Sequence, residues 1–340
     1  MRLNRYLTEA ASSGVQMEHA ITDVWNGKSL PAIVKDERIT EEGVKRITSS
    51  LKGKVNGKAK VFGASSADVT ERWKRFFPGG KVVWQTRTPK TDIIIGKSNI
   101  SLKSGPEAQL MSGQKSETLA TFLNVAEELN LNAVADSIAS HLENIMMKGT
   151  IESGEKVGTA KFKDEALMKA DKAKQGASKI LSDFFNNNQE FRTAFAHEAM
   201  SGKLKFGEKS PAAADYFLNV SWDGKKVNYH SIDDSSYVSH IANKMKPIVN
   251  FKSARPPWKA GERDWATVLR LQVNKLTEEI SQYEGQVLTE GLLSKIKDKF
   301  FNWVKNLAKK VRDFISKSWA NLFSFLGITP EVKVKSTIKL

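Results

Sequence analysis

The stretch TDIIIGKSNISLKSGPEAQLMSGQKSETLATF, residues 91–122, decides the reading of this chain. Ile93, Ile94 and Ile95 are consecutive β-branched residues and favour a strand. GKSN supplies turn chemistry, and ISLK returns as the second strand of a hairpin. Folded about Lys97-Ser98, the hairpin opposes Ile95 with Ile100, Ile93 with Leu102 and Asp92 with Lys103. Side chains alternate between faces, so Asp92, Ile94, Ser101 and Lys103 share one face. Opposed Cβ atoms lie about 5 Å apart, which brings the acid and the lysine together at the open end. The isoleucines on the other face anchor the hairpin in a core. SGPEAQLMSG then reads as a loop, and a helix runs from Ser112 to about Leu129 with Leu119, Phe122, Leu123 and Ala126 on one face.

Upstream, residues 1–60 read as a peripheral helical region. TEEGVKRITSSLKG carries a Thr cap, acids in the first turn and a terminal Gly53. SSADVTERWKRFF predicts a short helix ending at Pro78-Gly79-Gly80, and KVVWQT predicts a strand. Downstream, residues 160–200 are mostly helical and stop at Gly202. ADYFLNVSWDGKKVNYHSI alternates around Asp-Gly, a strong hairpin signal. SSYVSHIANKMK is a short helix and PIVNFKSA a strand. DWATVLRLQV is a further strand or the start of a helix. In HSIDDSSYVSH, two His and two Asp invite a metal reading, but their spacing suits no familiar site and Asp233-Asp234-Ser235 is good helix-capping chemistry. His197, in FAHEAM, lacks the second His of a zincin helix and reads as a helix-surface residue. SARPPWKAGERDW is read either as a nucleic-acid contact or as an ordinary connector.

The 340-residue chain contains no cysteine. Disulfides, Cys-ligated zinc and thiol catalysis are therefore excluded. The five His residues show no HxxxH or HxH spacing, so any metal is expected on carboxylates, which suit magnesium or manganese. The start shows no signal-peptide core, and no apolar run of about 18 residues occurs, so a cytoplasmic location is expected. Net charge is +15. Residues 45–103 hold 14 Lys/Arg against three acids, and residues 295–317 hold eight against two. Two basic blocks on a near-neutral body point to a polyanion, with nucleic acid first and an anionic membrane second. Within the first block, Lys74, Arg75, Arg87, Lys90 and Lys97 are the candidate nucleic-acid contacts.

Phosphodiester hydrolysis needs a divalent metal on carboxylates, an activated water and charge relief in the transition state. Asp92 and Lys103 supply two of those parts, and Ser101 stands two residues before the lysine. PKTD at 89–92, SLK at 101–103 and a Glu at 117 together resemble the PD-(D/E)xK restriction-endonuclease-like superfamily, in its Ser-x-Lys branch, where the second carboxylate has migrated to the following helix. The match covers roughly residues 60–130. It departs from the motif by two residues inserted between the proline and Asp92, and by a short gap from Asp92 to Lys103. The resemblance implies Asp92 and Glu117 as metal ligands, with Glu107 competing for the second place. It also implies Lys103 acting on the water or the transition state, Glu71 as an upstream-helix acid, and Mg²⁺ or Mn²⁺ as cofactor. Each residue also has an ordinary reading: a cross-strand ion pair for Asp92 and Lys103, a helix-dipole acid for Glu117, a solvated Glu71.

The expected fold is α/β with a restriction-endonuclease-like core, a central mixed sheet flanked by helices, spanning 61–288. Residues 1–60 form an N-terminal helical region, and 289–340 a basic amphipathic helical tail. That tail carries an apolar stripe opposite a lysine-rich face, and packing on protein, a membrane surface and DNA stay open for it. The expected function is metal-dependent endonuclease cleavage of DNA. The alternative is a non-enzymatic DNA-binding or virion assembly protein that retains the fold. A homodimer is compatible with either. The short, Lys-rich style beginning MRLNRYLTE suggests a phage-encoded protein, placed in the host cytoplasm or virion.

Overall fold

The computed structural model describes residues 12–62, 67–77, 87–105, 108–131, 136, 139–140, 142–143, 146, 148–152, 165–253, 262–274 and 276. The chain divides into two compact units, Met1–Tyr283 and Glu284–Leu340, and every described residue lies in the first. The expected strand at 81–86, Glu107, the centre of the Pro-rich loop and the tail lie outside the described residues.

Helix α1, Ser13–Trp25, starts where the Ser12 hydroxyl accepts from the Val15 N–H. It buries Gln16, Met17, Ala20 and Ile21, one stripe of its surface. Helix α2, Glu41–Leu51, is capped by Thr40, whose hydroxyl accepts from the Gly43 N–H at 3.1 Å. Val44, Ile47 and Leu51 form its buried side. These two stripes pack on one face of a five-stranded sheet, against Ile93, Ile95, Ile100, Leu102, Leu218 and Val220. The region expected to be peripheral is thus one wall of a core, because α1 carries an apolar stripe of its own.

The sheet runs β1 (Ala59–Val61), β2 (Ile93–Ile95), β3 (Ser98–Ser104), β6 (Tyr216–Val220), β7 (Val227–Ser231). All neighbours are antiparallel except β3 and β6, which are parallel. The β2–β3 hairpin is in a register two residues from the expected one: Ile93 opposes Ile100, and Ile95 opposes Ser98. The turn is therefore Gly96-Lys97. Gly96 has φ +59°, and a Cβ there would come within 2.0 Å of the Asn56 carbonyl. Only glycine fits that position, which draws the turn onto it. An even shift keeps every side chain on its face, so Asp92 still shares a face with Ser101 and Lys103, now directly opposite the serine.

On that second face Phe217 joins a core of Phe122, Phe191, Phe195 and Tyr237. These come from α4 (Lys115–Glu128), α6 (Gln189–Ser201) and α8 (Ser235–Lys244). Helices α3 (Glu71–Lys74), α5 (Glu165–Asn187) and α7 (Lys203–Phe206) are also among the described residues.

A second sheet is built on β9, Glu262–Val273, which pairs β4 (Ala108–Gln114), β5 (Lys148–Glu152) and β8 (Lys246–Ser253). β8 runs beside 265–272, so β4 and β5 share the opposite edge, along 268–273 and 262–266. β4 corrects the expected loop at 104–113, and it delays the helix start to Lys115. Its register shifts between Gln109 and Met111, which leaves Leu110 and Met111 both buried and erases the alternation that marks a strand. No described helix is long and apolar enough to cross a membrane.

Candidate active site

Asp92 sits one residue before β2 and is held from both sides. Its N–H donates to the Ile100 carbonyl at 2.9 Å, and its carbonyl accepts from the Phe62 N–H at 2.9 Å. One residue earlier, the buried Thr91 hydroxyl donates to the Ala213 carbonyl at 3.0 Å. The Asp92 backbone is therefore fixed between β1 and β3 before its side chain does anything. Its Oδ2 accepts the Leu102 N–H at 2.6 Å, a charge-assisted bond. The Ser101 hydroxyl and the Lys103 ammonium each lie 3.4 Å from the same oxygen. Lys103 also donates to the Ser101 hydroxyl at 3.3 Å and to the Leu102 carbonyl at 2.9 Å. All of this load falls on Oδ2; Oδ1 has no partner among the described residues. The Asp92 and Lys103 side chains are 20% and 24% exposed, so the pair can be reached from solvent.

A third group joins them from α1. Glu18 is half-buried and has no hydrogen-bond partner among the described residues. Burial, and then the Asp92 charge, push its carboxyl up to about 8, while Lys103 pulls the other way. Two carboxylates thus approach one lysine, and one of them cannot ionise easily near neutrality. Sequence reasoning missed Glu18. The available signal was an acid set inside an otherwise apolar helix stripe, MEHAI, where an exposed face would normally carry the charge.

The remaining expected residues are placed elsewhere. Glu117 stands in the first turn of α4, and its Oε1 is 2.7 Å from the Lys205 ammonium. Lys205 is 3% exposed, and its ammonium lies 5.1 Å from the Trp73 ring and 4.9 Å from Phe206. Beside them, buried Glu198 accepts the N–H groups of Leu204 and Lys205 at 2.8 and 3.0 Å. Burial still pushes it up to about 7. Lys90 stands between the two clusters. Burial and then the Lys205 charge hold it down to about 8, and it feels Glu117 and Lys103 as well. It donates to the Leu110 carbonyl at 3.3 Å. Its stem crosses Gly202, which has φ +66° and where a Cβ would come within 2.7 Å of the lysine Cγ.

Glu71 is not brought into either cluster. Its side chain is 87% exposed and pairs Lys74 at 2.5 Å, the solvated alternative of its sequence reading. Among the candidate nucleic-acid contacts, Lys74 is taken by that pair, Arg75 by Glu127 at 3.1 Å and Arg87 by Asp68 at 3.4 Å. Lys90 is turned inward, and Lys97 is exposed at the hairpin turn. At 230–240, Asp234 caps α8 by accepting the Ser236 and Tyr237 N–H groups. Asp233 pairs Lys203 at 2.6 Å and lies 3.4 Å from His197. Among the described residues no group of three or more His, Asp or Glu is gathered for a metal ion.

No protein-family model and no curated protein matches the chain. Among solved structures, that of the restriction endonuclease MspI in complex with its cognate DNA is similar at 13% identity and a TM-score of 0.26, over 59% of this chain and 69% of that one.

Proposed function

We propose that this chain is a divalent-metal-dependent DNA endonuclease with a restriction-endonuclease-like core. The observation that carries the proposal is the convergence of Asp92, Ser101 and Lys103 on one sheet face, with the lysine ammonium 3.4 Å from the carboxylate and 3.3 Å from the hydroxyl. The second carboxylate is Glu18 rather than Glu117 or Glu71, since Glu117 is closed on Lys205 and Glu71 points to solvent.

The donor set fits a hard cation. Asp92 offers an oxygen without a partner among the described residues, and Glu18 offers a carboxylate without a donor. Burial and then the Asp92 charge hold the Glu18 carboxyl up, and a cation between the two carboxylates would act against both. Magnesium takes one or two carboxylates, with the rest of its shell from water and substrate phosphate, so a third carboxylate is not required. When bound, the ion supplies charge relief at the scissile phosphate and lowers the pKa of a bound water.

The chain's own residues do the rest. The Leu102 N–H pins one Asp92 oxygen and thereby aims the other. Lys103, only loosely paired, orients the attacking water or meets the charge that develops on the phosphate. Ser101 holds the lysine by its hydroxyl. The test is nicking of supercoiled plasmid with Mg²⁺ or Mn²⁺ by the wild type, Asp92→Asn, Lys103→Met and Glu18→Gln. Cleavage present in the wild type and lost in all three is the expected result. Cleavage that survives Asp92→Asn and Lys103→Met sinks the assignment. DNA retarded but uncut by the wild type supports the second reading, a DNA-binding protein without catalysis, which the closed Glu117–Lys205 pair favours.

A further inference from the structure

Strand β1 is an edge of the five-stranded sheet, and its register carries it into the site. Lys60 opposes Ile94, and Ala59 opposes Ile95. Opposed residues share a face, so Lys60 lies on the face of Asp92, Ser101 and Lys103. Lys58, two residues earlier, falls on the same side by alternation, and its carbonyl accepts the Gly96 N–H at 3.0 Å. That bond sets Lys58 beside the Gly96-Lys97 turn. Lys60 is one strand across and two residues along from Asp92, about 8 Å between Cα atoms. Lys97, opposite Gly96 in the turn, is four positions along and one strand across, about 14 Å away. Lys52 and Lys54 lie just upstream of Lys58 in the chain, after α2. All five lysines are exposed.

What separates these lysines from the other cations of the same basic block is the lack of acids around them. Lys45, Arg46, Arg72, Lys74, Arg75 and Arg87 each pair with a carboxylate. No described carboxylate pairs with Lys52, Lys54, Lys58, Lys60 or Lys97. Among the described residues their charge is uncompensated and single-signed, and Lys60, Lys58 and Lys97 lie in one direction from the candidate cleavage centre. The span from Asp92 to Lys97 falls within half a turn of duplex DNA, which repeats about every 34 Å.

We propose that Lys58, Lys60 and Lys97 form a track for the phosphate backbone of duplex DNA leading away from the cleavage centre. The proposal rests on the endonuclease reading for its direction, but it concerns binding alone. Lysines on the edge strand bind phosphates as point charges and release counterions, so they set affinity and salt dependence without reading bases.

The test is fluorescence anisotropy of a short labelled duplex, without metal, across a series of salt concentrations. The proteins are the wild type, the triple variant Lys58→Gln/Lys60→Gln/Lys97→Gln, and a control triple Lys209→Gln/Lys226→Gln/Lys246→Gln at exposed positions elsewhere. Each lost phosphate contact flattens the log–log salt slope by about 0.9. The track variant is expected to flatten it by about 2.7, and the control is expected to keep the wild-type slope. Equal slopes in wild type and track variant overturn the proposal, as does the same flattening in both variants. Self-association of the track variant by light scattering, with the salt slope unchanged, overturns it in favour of lysines that merely guard a sheet edge. Plasmid nicking that depends on Lys103 while the slope is unchanged removes the track alone. A slope difference without nicking removes the endonuclease reading alone, and a wild type that binds no DNA removes both.

Discussion

Two clusters of lysine and carboxylate stand close together in this protein, and they are built oppositely. At the open end of the β2–β3 hairpin, Lys103 and Asp92 meet at 3.4 Å with about a fifth of each side chain exposed, and Glu18 stands by without a donor among the described residues. Under α4, Lys205 and Glu117 meet at 2.7 Å, roofed by Trp73 and Phe206. The second pair is closed: its charges answer each other, and the burial that would cost them is offset by short contact and ring faces. The first is open. It has more acceptor capacity than donors to fill it, which is the condition for taking up a cation or a charged substrate. Identical residue types are thus closed on each other in one place and left open in the other, and what divides the two clusters is the tightness of partnering.

The largest expected effects separate the two clusters cleanly. Lys103→Met should cut plasmid cleavage by about 10²–10³-fold, the usual loss for one transition-state donor, while leaving the thermal midpoint near that of the wild type. Lys205→Met should do the reverse. It strands the Glu117 carboxylate in a buried place, a loss of about 3–5 kcal/mol in chemical denaturation, with cleavage per folded molecule retained. If instead Glu117→Gln abolishes cleavage while stability is retained, the closed pair belongs to the active centre and the division fails.

A smaller effect tests the electrostatics beside the closed pair. Glu198 binds its proton to about 7 in the folded protein against 4.5 ordinarily. Below about 4.5 both folded and unfolded chains are protonated there. Between that value and about 7 only the folded chain is, so stability should fall as pH rises through this window and then level off, by up to about 3 kcal/mol. Lys90 acts with the opposite slope. Its ammonium is held down to about 8 from 10.5, so the unfolded chain binds more protons from about 8 upward, and stability should recover there. Glu18, held up to about 8, adds a falling limb of the same sign as Glu198, so the expected profile has its minimum at about 8. In thermal melts across pH, Glu198→Gln should flatten the acidic limb and Lys90→Met the alkaline one. A profile unchanged by either substitution would remove these two groups from the account.

The open cluster was largely legible in the sequence, and the closed one was not. Asp92, Ser101 and Lys103 lie within one hairpin, where alternation alone assigns faces. Even a register error of two residues left them together, because faces repeat every second residue. Glu18 was not legible as a member, since nothing local ties α1 to β3; only the packing of Met17 and Ile21 on Ile93 and Ile100 delivers it. Glu117 was correctly set at the start of a helix, but its partner is 88 residues away. Ion pairing over such a distance leaves no periodic trace. The same limit hid β4, whose strand character depends on pairing with β9 across a register shift.

The smallest expected effect is the one for Glu71, and it bears on the same distinction. By sequence Glu71 was an accessory to the two expected metal ligands, an upstream-helix carboxylate implied by resemblance. In the structure it is a first-turn acid of a four-residue helix, paired with Lys74 three residues on. Its ammonium partner is short-range, and its side chain remains in water, where such a pair contributes a few tenths of a kcal/mol. Glu71→Gln should therefore shift stability by less than about 0.5 kcal/mol and leave both plasmid cleavage and the salt slope of DNA binding unchanged. Loss of cleavage in this variant would mean that α3 moves to the hairpin when DNA binds, and that a fully solvated carboxylate, neither loose nor closed in the sense of the two clusters, is the missing ligand.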